Sequence, residues 1–223
     1  MTMISLGGII GAGLFVGTGP ILNQAGPATI LSYLLTGIIL ILIMRMLGEM
    51  AVAQPSVGSF SDYSRMALGN WAGFSIGWLY WYFWAIVVGF EATVAAGILG
   101  QYVTSIAPWL ISLILILLLT ATNLYSVGSY GEFEFWFAGI KVAAIIVFIV
   151  LAALFVIGLW PGGGMGLSNL YDEGGFFPNG AVAMFSGIVT VIFAFVGAEI
   201  VTIAAAESNE PEEGVARATN AVI

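Results

Sequence analysis

Long apolar runs alternate with short polar connections along the whole chain of 223 residues. A membrane-crossing helix needs roughly 20 apolar residues, because the hydrocarbon core of a bilayer is about 30 Å thick. Six runs come close to this length, and the fourth is the shortest. The pattern therefore predicts six transmembrane helices, at about residues 4–22, 28–50, 71–102, 109–124, 135–159 and 181–206.

The amino-acid composition, taken with this pattern, indicates the fold class. Charged residues make up only 7% of the chain and hydrophobic residues 61%, whereas soluble domains carry about 25% charged residues. So few charges cannot cover a water-exposed surface, which excludes a soluble enzyme. The sequence therefore predicts an all-α polytopic membrane protein that lies in a lipid bilayer.

The residue types that are missing exclude several chemistries. The chain has no His and no Cys, which rules out thiolate or imidazole catalysis, disulfides and the usual zinc sites. Its Lys and Arg residues number 4 in total, which is too few for a nucleic-acid interface. We therefore predict no cofactor, no metal, no nucleic-acid partner and no enzyme activity.

The basic residues predict an orientation, because Lys and Arg concentrate on the cytoplasmic side of membrane proteins. If the first span runs from inside to outside, all the basic residues fall on the cytoplasmic side: Arg45, Arg65, Lys141 and Arg217. The N-terminus is then cytoplasmic, and so is the acidic segment 207–223.

Two spans carry signs of an interruption. The first holds six glycines between positions 7 and 19, and each Gly in a helix costs about 1 kcal/mol relative to Ala. One interpretation is close packing against another helix. The other is unwound backbone near residues 11–13, which is tolerated within a membrane only beside a cavity or inside protein. In the sixth span, Glu199 follows Gly197 by two positions.

Charged residues inside the predicted spans are the next candidates for function. They are Glu91, Lys141 and Glu199. A charge at the centre of a membrane helix costs about 2.5–3.5 kcal/mol on insertion scales, so such residues mark function by default. For Lys141 the alternative is a side chain that reaches the inner interface. For Glu199 the alternative is a structural bond between helices.

Several motifs resemble the amino acid–polyamine–organocation superfamily of amino acid permeases. IGAGLFVGTG (residues 10–19) is similar to the glycine motif of its first helix, and GSFSDYS (58–64) to its first cytoplasmic loop. FAFVGAEIVTIAAAES (193–208) is similar to its sixth helix. Within the superfamily, the segments IGWLYWYFW, YGEFEFW and RATNAVI most resemble bacterial 4-aminobutyrate (GABA) permeases.

The resemblance implies a leucine-transporter-type fold of inverted repeats, with helices one and six broken near the midplane. Because members of the family are about twice as long, the chain is expected to be an N-terminal fragment. It would hold one repeat and the first helix of the next, and segment 207–223 would lead toward a seventh helix.

By position, the resemblance also implies a substrate site. A helix N-terminus favours an anion, so the substrate carboxylate is placed on backbone N–H groups of Gly11, Ala12 and Gly13. The substrate ammonium is placed near carbonyl groups of Ala194, Phe195 and Val196. The Phe195 ring is expected to act as a gate over this site.

The intramembrane charges receive roles from the same resemblance. Lys141 corresponds to a lysine that takes the place of a sodium ion in some relatives, which implies proton coupling. Glu91 and Glu199 are candidates for binding a distal amine of the substrate or for relaying protons.

The resulting hypothesis is secondary active transport: proton-coupled uptake of GABA or a related amino acid across the plasma membrane. Two alternatives stay open. One is an exchanger of two amino acids, or of an amino acid and its amine. The other is a truncated membrane protein that does not transport. The expected partners are the amino acid, protons and the lipid bilayer.

Overall fold

The structure is a computed structural model that describes residues 7–54, 56, 58–125, 127–161, 166–172 and 174–200, with only the backbone described for 125, 127–134 and 169. Every regular element in these ranges is a helix, so the all-α part of the predicted fold is confirmed. The acidic segment 207–223 and residues 4–6 and 201–206 of the predicted spans lie outside the described residues.

The described α-helices are α1 (Ala12–Ala25), α2 (Thr29–Ala53), α3 (Ser59–Leu68), α4 (Asn70–Leu99), α5 (Pro108–Tyr125), α6 (Val127–Val156) and α7 (Gly180–Ala194). Two 3₁₀ turns accompany them, at Gly26–Ala28 and Ser168–Leu170. Residues 7–9 form a short helical segment before α1. All of these helices except α3 overlap one of the six predicted spans.

Apolar length differs among these helices. By length and composition, the described stretches long enough to cross a membrane are residues 12–53, 70–99 and 135–156. The first has 42 residues and contains most of the first predicted span and all of the second, which are joined through the 3₁₀ turn Gly26–Ala28. α5 and α7 are shorter apolar helices. The count of six separate crossings therefore stays a prediction.

The chain divides into two compact units. In its described part, the first unit contains residues 7–46 and 134–200, which include α1, most of α2 and α6, and α7. Its core lies where α1 and α7 pack together, with Ile21 and Val191 fully buried. α2 joins this core through Ser32, whose hydroxyl donates to the Met184 carbonyl at 2.8 Å. The core of this unit therefore contains a hydrogen bond between helices as well as apolar contacts.

Two side-chain bonds join the end of α1 to the start of α7. Gln24 Nε2 donates to Ser186 Oγ at 2.8 Å. Asn179 Nδ2 donates to the Gln24 carbonyl at 2.9 Å. Since helix ends expose unpaired backbone carbonyls, the second bond also completes the C-terminus of α1.

The second unit contains residues 47–133 in its described part, with α3, α4 and α5. α3 lies close against the start of α4: the Phe60 and Tyr80 rings meet edge to face with centroids 4.7 Å apart. A Cβ at Gly73 of α4 would lie 2.7 Å from Arg65 Cβ, so glycine permits this approach. α5 is bonded to α4 through Ser112, which donates to the Ala92 carbonyl at 3.2 Å.

α3 forms within the stretch that we expected to be a polar connection between the second and third spans. An ion pair spaced i,i+3 supports it, with Arg65 and Asp62 3.4 Å apart. Asp62 also accepts a hydrogen bond from the Ser56 hydroxyl. Tyr63 is buried on the apolar side of α3 and donates to the Gln54 carbonyl at 3.1 Å. The helix was missed because its charges were read as marks of a connection and not as one face of a helix.

Candidate functional site

The first predicted interruption is present in the structure. Residues 7–9 are helical, residues 10 and 11 are not, and α1 begins at Ala12. We call residues 10–11 the first break. Gly11 is extended, at φ −113° and ψ −168°, and its N–H donates to the Ile9 carbonyl at 3.0 Å. Gly11 directly precedes the first turn of α1. Because glycine has no side chain, it cannot cap the N–H groups of that turn with a side-chain oxygen.

The second predicted interruption is also present. α7 ends at Ala194, and residues 195–199 form turns before a helical conformation returns at Ile200. We call residues 195–199 the second break. Gly197 within it has φ +102°, a conformation that side-chain-bearing residues rarely adopt. The N–H of Phe195 donates to the Ile192 carbonyl at 3.0 Å, which tightens the last turn of α7.

The two breaks lie against each other within the first unit. A Cβ added at Gly13 would lie 2.6 Å from the Phe193 carbonyl oxygen and 2.7 Å from Ala194 Cα. A Cβ at Gly197 would collide with the Gly8 carbonyl. Only backbone atoms meet at these two crossings, so the start of α1 and the end of α7 face one another with no side chain between them.

Lys141 joins α6 to the segment before the first break. Its Nζ donates to the Gly7 carbonyl at 2.9 Å, and its side chain is half-buried. Charge-assisted bonds of this kind are stronger than neutral ones. The contact places the ammonium group on backbone that leads directly into the break.

Glu199 lies inside the second break. One oxygen of its carboxylate, Oε2, accepts the N–H of Gly197 at 3.0 Å. The side chain therefore stabilises the turn that Gly197 makes at positive φ. This contact is local, within two residues, and it gives Glu199 a structural role whatever further role it has.

Phe195 has an aromatic neighbour that the sequence did not indicate. Its ring centroid is 6.1 Å from that of Tyr33 on α2, at an interplanar angle of 63°. The Tyr33 hydroxyl is 2.8 Å from Thr18 Oγ1 on α1. Hydroxyl groups at positions 18 and 33 in otherwise apolar spans were the available sign of this group.

Glu91 is the one predicted site residue that does not belong to the first unit. It is exposed on α4, in the second unit, whereas all the others belong to the first. Its role in the site stays a prediction. The other eight predicted residues all belong to the first unit: Gly11, Ala12, Gly13, Lys141, Ala194, Phe195, Val196 and Glu199.

The chain is similar to known amino acid permeases. The family model for amino acid permeases matches residues 1–223. The γ-aminobutyric acid permease of Bacillus subtilis (strain 168) is 53% identical over 100% of this chain and 48% of its own length. That of Escherichia coli (strain K12) is 54% identical over 100% of this chain and 48% of its own length.

A third relative is named for other substrates. The aromatic amino acid transport protein AroP of Corynebacterium glutamicum is 49% identical over 100% of this chain and 48% of its own length. The chain thus spans about half the length of these curated relatives. No solved structure matches it.

These names are those of transport proteins and not of enzymes, in agreement with the prediction that the chain is not an enzyme. The apolar helices and the family together make it a multi-pass membrane protein. With its family model matched along the whole chain, the protein belongs to the amino acid permease family.

Proposed function

We propose that this chain carries the substrate site of a secondary transporter that takes up an amino acid, GABA or a related compound, together with a proton. The observation that carries the proposal is the close approach of the start of α1, at Gly13, to the end of α7, at Ala194. It sets a helix N-terminus and a helix C-terminus side by side within one unit. An amino acid has one negative and one positive end, and these two termini attract one each.

The carboxylate end of the substrate binds at the start of α1. Backbone N–H groups of Gly11, Ala12 and Gly13 provide the donors, and the dipole of α1 adds a favourable field. The ammonium end binds near the carbonyl groups of Ala194, Phe195 and Val196, at the negative end of the α7 dipole. Both sets are backbone groups, so they recognise the ends of the amino acid and not its side chain.

GABA as substrate is supported by the names of two relatives that are more than half identical to this chain. In GABA the amine is three carbons from the carboxyl carbon, so its charged ends lie farther apart than those of an α-amino acid. Glu199, within the second break, supplies an anionic group for such a distal amine. Glu91 is the second candidate for this contact.

Proton coupling is supported by the bond from Lys141 to Gly7. A protonated ammonium holds the carbonyl in front of the first break more strongly than a neutral amine does. Release of the proton therefore loosens this backbone, and uptake of a proton fixes it again. In this way the charge on Lys141 is linked to the geometry at which the substrate carboxylate binds.

The membrane orientation is part of the same proposal. Three described basic residues fall on the cytoplasmic side when the N-terminus is cytoplasmic: Arg45, Arg65 and Lys141. The connection before α7, with Ser168–Leu170, then faces the outside of the cell. The plasma membrane is the membrane that a permease for external amino acids crosses.

The test is uptake of labelled GABA into membrane vesicles from cells that express the complete gene. Uptake is measured with and without an imposed pH gradient, and with unlabelled amino acids as competitors. We expect accumulation that depends on the gradient and is competed by GABA. Uptake that ignores the gradient but accelerates with amino acid inside the vesicles would instead indicate an exchanger. Failure of GABA to compete would reject it as the substrate.

A further inference from the structure

Tyr33 of α2 links α1 to the aromatic ring in the second break. Its hydroxyl oxygen is 2.8 Å from Thr18 Oγ1, and its ring lies 6.1 Å from the ring of Phe195 at 63°. Edge-to-face pairs at this distance are attractive and depend on orientation. One side chain therefore contacts both a hydroxyl of α1 and the residue that directly follows α7.

The direction of the hydrogen bond follows from the partners of Thr18. Thr18 also donates its hydroxyl hydrogen to the Leu14 carbonyl, and a carbonyl oxygen can only accept. Because a threonine hydroxyl has a single hydrogen, its oxygen must act as acceptor toward Tyr33. The donors therefore run in one direction, from the Tyr33 hydroxyl to Thr18 and from Thr18 to the Leu14 carbonyl.

This arrangement fixes the orientation of the Tyr33 ring. A tyrosine has two side-chain torsions, and the bond of its hydroxyl to Thr18 together with the packing of its ring against Phe195 restrains both. The fixed ring then limits the orientations open to Phe195. Leu14 directly follows Gly13 in the first turn of α1. The hydrogen bonds that begin at Tyr33 therefore end, through Thr18, in the same turn that crosses Ala194.

We propose that Tyr33 is a positioning residue for Phe195, and that Thr18 is its anchor on α1. The inference rests on the proposed function, because the Phe195 ring acts as a gate only if a substrate binds at the two breaks. A carboxylate that orders the first turn of α1 also orders Leu14, and with it Thr18, whose hydroxyl is bonded to the Leu14 carbonyl. Tyr33, held by Thr18, in turn restrains the Phe195 ring. This ring, the gate, therefore closes more favourably over an occupied site than over an empty one.

The experiment measures KM and maximal rate for uptake of labelled GABA in vesicles that contain the protein from the complete gene. Tyr33→Phe removes the hydroxyl and keeps the ring, and Thr18→Val removes the acceptor at nearly the same volume. Loss of one such hydrogen bond is expected to raise KM about 3- to 10-fold. The double variant should be no worse than either single variant, because both changes break the same bond.

Two further variants separate positioning from general stability. Thr36→Val on α2 removes a hydroxyl that donates to the Ser32 carbonyl, and it should leave KM within about twofold. In a Phe195→Leu background, Tyr33→Phe should have no additional effect, because its target ring is absent. KM does not depend on the amount of protein in the membrane, so poor expression of a variant does not obscure the result.

These measurements distinguish failure of the positioning role from failure of the proposed function. Wild-type uptake together with unchanged KM in Tyr33→Phe and Thr18→Val overturns the positioning role and leaves the proposed function standing. The same holds if the two effects multiply in the double variant, or if Tyr33→Phe acts equally without the Phe195 ring. Absence of wild-type uptake overturns both.

Discussion

Gly13 and Ala194 are in backbone contact: a methyl group on Gly13 would come within 2.7 Å of the Ala194 Cα atom. Real Cβ atoms do not approach other heavy atoms so closely, so any substitution at Gly13 must push α1 and the end of α7 apart. The contact lies between two stretches of main chain, which cannot rotate away as a side chain can.

We therefore expect Gly13→Ala to reduce uptake by about tenfold or more, since overpacking a tight contact displaces the backbone. The matched control is Gly17→Ala, one turn further along α1, where a Cβ meets nothing within 4 Å. Initial uptake rates are compared at equal amounts of protein in the membrane. Equal activity of the two variants would remove the crossing from the site.

At Lys141, contact and charge can be tested separately. Lys141→Ala removes the bond to the Gly7 carbonyl, and we expect it to abolish accumulation driven by a pH gradient. Lys141→Arg keeps a donor and a positive charge but cannot release its proton. It should therefore retain exchange of labelled for unlabelled substrate while losing gradient-driven uptake. Normal accumulation by Lys141→Ala would exclude this residue from coupling.

Single cysteines can test the orientation, because these 223 residues contain no Cys that would react as well. Leu167 before α7 is 67% exposed, and Met66 on α3 is 53% exposed. We expect a membrane-impermeant maleimide to label Leu167→Cys in intact cells, and Met66→Cys only after the cells are opened. The reverse pattern would place the N-terminus outside.

The contribution of Tyr63 to the stability of α3 can be tested by changing the pH. Burial raises the pKa of its phenol, with the nearby Asp62 carboxylate adding to the effect and a backbone bond to Ser56 opposing it. A raised pKa means that the folded state favours the neutral phenol. This contribution to stability is complete below the usual tyrosine value of about 10 and is lost as the pH rises through the folded-state value.

We accordingly expect Tyr63→Phe to lower the free energy of unfolding by about 1 kcal/mol at neutral pH, through loss of the bond to Gln54. The difference from wild type should shrink above pH of about 10. Thermal unfolding in detergent at several pH values measures it, with the exposed Tyr82→Phe on α4 as control. A difference that grows with pH would contradict the assignment.

The approximate positions of the two breaks could be predicted from the sequence. Clustered glycines predicted the first break near residues 11–13, and the structure has it at 10–11. Gly197 and Glu199 indicated the second break correctly. Unwinding within an apolar span needs residues that tolerate unusual backbone conformations, and glycine is the residue that shows this directly in a sequence.

What the sequence missed depends on contacts between distant residues. Tyr33 and Thr18 lie in different spans, and nothing in the order of residues indicates that their hydroxyls meet. Glu91 was grouped with the site because it is charged within a span; it belongs to the second unit, and its role in the site stays a prediction.

The side-chain-free crossing of Gly8 with Gly197 and of Gly13 with Ala194 also bears on how such a protein can evolve. Geometry set by main-chain atoms survives substitutions elsewhere in the wall of the site. If the two backbone crossings bind the charged ends of the substrate as proposed, a lineage can exchange the residues around the middle of the substrate while these two contacts are inherited unchanged. New preferences can then arise through few mutations, provided that these glycines are kept.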